Sequence, residues 1–75
     1  MDKDELQRQF GKRVAVLRHE RKVAQEKFSL DNDLHRTWVS KVERGIISPS
    51  LWNVYRLAKA LDVTPSQLLT GIGED

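Results

Sequence analysis

The chain contains no cysteine, so it has neither disulfides nor thiolate metal sites. Its longest apolar run spans only Val14 to Leu17, far short of the ~20 residues a membrane helix needs, and no apolar signal-peptide core is present. No stretch alternates apolar and polar residues with period two for long enough to form a strand. Repeats, low-complexity tracts and linkers are also missing. The two histidines, His19 and His35, have no acidic or thiol cluster around them, which argues against a metal site. There is no nucleophile–base pair, no carboxylate pair and no phosphate-cradling glycine loop. A chain of 75 residues is also too small to enclose a substrate. These absences leave a single all-α domain over 1–75, soluble and cytoplasmic, with no enzymatic activity and no cofactor expected. A chain of this length buries only about 60% of its unfolded surface, so a partner subunit would help.

Charge is distributed unevenly. The overall charge is only +2, yet Lys12 to Lys59 holds eleven Lys/Arg against five Asp/Glu. The flanks hold two basic and six acidic residues. A basic middle between acidic ends points to a polyanionic partner for the middle.

Apolar spacing predicts five helices. Leu6, Phe10, Val14 and Leu17 share one face of a helix from about Asp4 to Arg21, with acidic residues at its start and basic ones near its end. A short second helix is expected from Ala24 or Gln25 to Leu30, ended by the turn formers Asp31, Asn32 and Asp33. His35 to Arg44 forms the third, with Val39 and Val42 inward and Gly45 as its stop. Ser50 caps a fourth, in which Leu51, Val54, Ala58 and Leu61 face the core. Thr64-Pro65-Ser66-Gln67 has the pattern of a capping box with proline at the first helical position, and opens a fifth helix. Leu68, Leu69 and Ile72 give the chain end more apolar groups than a short helix needs. This surplus suggests a two-fold interface in the region of about 62–73.

Helices two and three, about 25–44, carry the chemistry. The turn between them is short enough for a steep helix-turn-helix crossing, and Ser29 is small enough for the close approach such a crossing needs. The outward positions of helix three are Arg36, Thr37, Trp38, Ser40, Lys41 and Arg44. Arginine can donate two hydrogen bonds to guanine, and the threonine methyl can pack on thymine. Ser40 permits close approach, while Lys41 and Arg44 can reach bases or phosphates.

These residues resemble the Cro/C1-type, phage-repressor-like family of helix-turn-helix DNA-binding domains. Within it they look most like the controller proteins of restriction–modification systems. The resemblance rests on Arg13 and Arg18, Gln25-Glu26, Arg36-Thr37-Trp38-Val39-Ser40, Val42-Glu43-Arg44-Gly45, Ser50-Leu51 and the run from Leu57 to Val63. It implies a compact five-helix, lambda-repressor-like fold. The implied function is transcription regulation, as repressor or activator, by a homodimer on a palindromic operator in double-stranded DNA. An activating role would add RNA polymerase as a partner. By the same resemblance Arg36, Thr37, Trp38, Ser40 and Lys41 contact bases. Arg18, Gln25, His35, Arg44, Ser48, Ser50 and Trp52 contact the DNA backbone. Arg18 and Glu43 form a partly buried ion pair, and His35 caps helix three. Two residues depart from the family pattern: Ala24 replaces a Ser or Thr cap, and Asp33 replaces a turn glycine. A protein-interaction module, such as an antitoxin or phage factor on the same fold, is the alternative.

Overall fold

The computed structural model describes residues 1–74, so Asp75, the last residue of the expected domain, lies outside the described residues. Five helices follow in order: α1 Lys3–Glu20, α2 Gln25–Asp31, α3 Arg36–Glu43, α4 Leu51–Ala60 and α5 Pro65–Leu68. No strand occurs among the described residues. The radius of gyration is 11.4 Å, close to the ~11 Å expected for a compact chain of this length. Phe10, Val14, Phe28, Val39, Val42, Leu57, Ala58, Leu61 and Leu68 form one buried core to which all five helices contribute.

Helix ends are defined by local chemistry. Asp2 accepts from the Glu5 N–H at the start of α1, and Ser50 accepts from the Asn53 N–H at the start of α4. At α5 both bonds of the expected capping box are present: Thr64 Oγ1 accepts from the Gln67 N–H at 3.0 Å, and Gln67 Oε1 accepts from the Thr64 N–H at 2.8 Å. By contrast α2 and α3 start without a side-chain cap, at Ala24 and His35. The expected capping role of His35 therefore reduces to its backbone position.

Helices α1 to α4 close by the same device. A residue in the left-handed region follows each one, and the next N–H bonds back to the carbonyl five residues earlier. Gly45 takes the left-handed position after α3. Lys22, Asp33 and Asp62 take it elsewhere, at φ 57°, 53° and 56°. Left-handed backbone strains a residue with a Cβ by roughly 1–2 kcal/mol. The residues that follow, Val23, Leu34 and Val63, pack against the core, and that burial offsets the strain.

Two apolar stripes are rotated from their expected faces. In α1 the buried row is Gln7, Phe10, Gly11, Val14 and Arg18, while Leu6 is exposed. The stripe includes a polar, a small and a charged residue, which a search for apolar spacing passes over. In α4 the inner row is Val54, Leu57, Ala58 and Leu61, and Leu51 stands 86% exposed instead of facing the core. Leu68 is also corrected. It is fully buried within its own chain and so unavailable to a partner subunit. Leu69 remains exposed, and Ile72 packs partly against the core.

Gly11 explains how α1 and α3 come together. A Cβ placed there would lie 2.1 Å from the Val42 carbonyl oxygen and 2.7 Å from that of Glu43. The α3 backbone therefore rests directly on the α1 backbone, a contact only glycine permits. Ser29, expected to mark the closest approach, is buried on α2, where its hydroxyl donates to the Gln25 carbonyl at 2.7 Å.

Candidate nucleic-acid interface

Helix α3 is eight residues long, and its inward side chains Val39 and Val42 are fully buried. At 100° per residue, the opposite side of the helix falls on Thr37, Lys41 and Arg44, flanked by Arg36 and Ser40. Arg36, Thr37, Lys41 and Arg44 are exposed, and Ser40 is half-buried. The Arg44 side chain lies back along the helix, with Nε donating to the Ser40 carbonyl at 3.3 Å. The row is thus a short donor-rich ridge of three cations and two hydroxyls.

Trp38 departs from the expected row. It is half-buried at the edge of α3, packs on the core, and lines a cleft with Leu34, His35, Asn53 and Arg56. The turn before α3 is fixed from several directions. Asn32 Nδ2 donates to the Phe28 carbonyl at 2.8 Å, and Leu34 N–H to the Ser29 carbonyl at 2.8 Å. From α4, an Arg56 guanidinium nitrogen donates to the carbonyl of Asp33 at 2.9 Å. Asp33, which stands where the family has a turn glycine, holds a left-handed conformation.

The C-terminal end of α3 is held by a polar network. Arg18 Nε donates to Glu43 Oε2 at 2.7 Å, and Arg18 Nη2 donates to Glu43 Oε1 at 2.9 Å. Both side chains are buried, 7% and 6% exposed. This is the expected ion pair joining helices one and three. Arg18 Nη1 also donates to the Val23 carbonyl at 2.6 Å, and Nη2 lies 3.0 Å from His19 Nε2. With all three guanidinium nitrogens engaged and its side chain buried, Arg18 does not reach outward. Its expected contact with the DNA backbone is withdrawn. Gln25 joins the same network, its Nε2 donating to Glu43 Oε1 at 2.9 Å. One carboxylate thus gathers α1, α2 and α3. Gln7 adds a hydrogen bond from Nε2 to the Gly45 carbonyl at 3.2 Å, just past the end of α3.

The remaining site residues lie outside α3. His35, Ser48, Ser50 and Trp52 are exposed. Trp52 is 66% exposed and stacks on Tyr55, with ring centroids 5.6 Å apart. Sequence reasoning missed Gly11, Arg56 and Glu26, whose carboxylate lies 3.8 Å from Arg36. An isolated glycine inside a helical pattern is a usable signal for the first. The other two depend on tertiary placement, which leaves no local pattern.

Residues 9–70 match the family described as a helix-turn-helix domain. The control protein C.BamHI of Bacillus amyloliquefaciens is 43% identical over 61 residues, covering 80% of this chain and 75% of that protein. The control protein C.MunI of a Mycoplasma species is 32% identical over 73 residues, covering 96% and 99%. Among solved structures, the restriction-modification controller protein C.AhdI from Aeromonas hydrophila superposes with a TM-score of 0.83 at 37% identity, over 91% of this chain and 99% of that one. A hypothetical transcription factor from Neisseria, NHTF, gives 0.80 at 32% identity, over 92% and 79%. No helix among the described residues is long and apolar enough to cross a membrane. Matched across 62 of its 75 residues, and more than 30% identical to relatives along most of their length, the chain belongs to the helix-turn-helix domain family.

Proposed function

We propose that the protein is a sequence-specific transcription regulator that reads double-stranded DNA with α3 in the major groove, and that it controls a restriction–modification system as its relatives' names describe. One observation carries this reading: the fully buried Val39 and Val42 fix α3 while its opposite side presents Arg36, Thr37 and Lys41 to solvent. Arg36 and Thr37 choose the sequence, with Ser40 and Lys41 beside them. Gln25, His35, Arg44, Ser48 and Ser50 are the proposed phosphate contacts, and such contacts would supply the salt-dependent part of affinity.

The regulator acts as a homodimer on a roughly palindromic operator whose half-sites lie about one helical turn apart. Leu51, Trp52 and Tyr55 on α4 are 86%, 66% and 43% exposed, and Leu69 is 44% exposed. Apolar exposure on this scale supports self-association of a small domain. Trp52 accordingly moves from the proposed phosphate contacts to this apolar surface. An operator that covers a promoter makes the protein a repressor. One beside it, with contact to RNA polymerase, makes it an activator, and in vitro transcription separates the two.

Selection from random duplex DNA tests the reading directly. It should return one symmetric motif, and Arg36→Ala should weaken that site by about 1–3 kcal/mol while changing random-duplex affinity little. Equal loss on both DNAs makes Arg36 a phosphate contact. Failure to enrich any duplex favours a protein-interaction module.

A further inference from the structure

Arg36 is the proposed base reader, yet it does not stand alone. Its Nη1 lies 3.8 Å from Oε2 of Glu26, at the start of α2. Both side chains are largely exposed, 64% and 80%, so the pair is a loose charge contact and not a fixed hydrogen bond. Its partners come from different helices, and both helices are held. Gln25, next to Glu26, is tied to Glu43, and the turn before Arg36 is tied to Arg56 through Asp33. The two anchored helices therefore keep the carboxylate within charge-attraction range of the guanidinium, with neither side chain locked in place. The other ion pair of α2, Lys27 with Asp31 at 2.9 Å, lies within the helix and leaves Arg36 alone.

We infer that Glu26 is a specificity-determining residue that restrains Arg36. Resting on the DNA-binding reading, the inference adds a role for an acidic side chain that never needs to touch DNA. Arg36 can bond a guanine edge or swing to a phosphate, and the second option is open on any sequence. A carboxylate beside the guanidinium holds it near the helix start and repels the phosphates it would otherwise reach. Aiming toward the base edge keeps that attraction, whereas reaching for the backbone sacrifices it. Glu26 thus weakens binding to random DNA more than binding to the operator.

The test uses the full chain, the motif returned by selection and a random duplex of equal length. Glu26→Gln should raise random-duplex affinity and lower the ratio of specific to random binding by roughly three- to fivefold, the scale of one exposed ion pair. It should also relax base preference at the position that Arg36 reads. Asp31→Asn removes the same charge from the same helix away from Arg36, and should leave the ratio within about twofold. In an Arg36→Ala background, Glu26→Gln should no longer alter the ratio. Equal effects of Glu26→Gln and Asp31→Asn reduce the role to net charge and overturn the inference. An effect that persists without Arg36 overturns it too. If the parent binds no duplex, the DNA-binding reading falls. If the parent binds its motif and Glu26→Gln leaves the ratio unchanged, only the inference falls.

Discussion

Gly11→Ala is the substitution for which helix propensity and packing predict opposite signs. Alanine is the better helix former by about 0.8–1 kcal/mol, so an exposed glycine at mid-helix would be improved by it. Position 11 is buried, and the added Cβ would sit 2.1 Å from the Val42 carbonyl oxygen, with the Glu43 oxygen and carbon at 2.7 and 2.9 Å. Ordinary contact begins near 3.4 Å, so α3 must retreat by about an ångström. All three neighbours are backbone atoms, which no rotamer change can move. Overpacking costs about 1–3 kcal/mol in ordinary cores, and contact with backbone on this scale belongs at or above the top of that range. Subtracting the propensity gain leaves a net loss of about 2 kcal/mol or more. For a domain of this size that lowers the melting midpoint by roughly 8–16 °C. Thermal unfolding followed by circular dichroism measures it, at fixed protein concentration because the proposed self-association would shift the midpoint. A midpoint equal to or above the parent's would mean that α1 and α3 do not touch through Gly11, and the account of how α3 is seated would be wrong.

Other substitutions probe different parts of the same structure. Ala24→Ser should raise stability by about 1 kcal/mol, because α2 has an extended N-cap residue with no side-chain bond; an unchanged melting midpoint refutes it. Glu43→Gln should cost about 3–5 kcal/mol by leaving the Arg18 charge buried without its partner, a large share of the roughly 4–11 kcal/mol such a chain has. Arg18→Met combined with Glu43→Leu should lose less than the two single changes summed, as urea titration of all three variants would show. Leu68→Ala should cost about 2–5 kcal/mol at every protein concentration, because its side chain fills the core. Leu69→Ala should alter stability only where the protein is self-associated, and the reverse pattern in melts over a concentration series would return Leu68 to an interface.

Features written in short-range chemistry were legible in the sequence. The capping box at Thr64 to Gln67, the Ser50 cap and the turn at Asp31 to Asp33 each involve residues within a few positions of one another. The helix-turn-helix and the Arg18–Glu43 pair were legible through family resemblance. The phases of α1 and α4 were not, because apolar spacing weights Leu6 and Leu51 equally with Phe10 and Leu57. Which leucine points inward depends on where the neighbouring helices lie. The same blindness affected Trp38 and Leu68. A large aromatic on the edge of a short helix can turn toward a cleft or toward solvent, and a leucine near a chain end can pack within its own domain or against a second copy. Only the tertiary arrangement chooses.

That arrangement also explains how so short a helix can hold its exposed row in place. Eight residues are too few to hold a helix in water, where isolated helices below about 12–15 residues are marginal. Two buried valines set which side of α3 faces the core. Polar contacts then fix the two ends of α3. Before its start, Arg56 holds the Asp33 carbonyl. At its end, Arg18 and Gln25 hold the Glu43 carboxylate, Gln7 holds the Gly45 carbonyl, and the Gly11 contact leaves no room for drift. These anchors come from α1, α2 and α4, and none uses the exposed faces of Thr37 or Lys41. The surface proposed to read DNA is therefore left free along its middle while both ends are fixed. Substitutions at the anchors should accordingly weaken stability and binding together, whereas substitutions in the row should weaken binding alone.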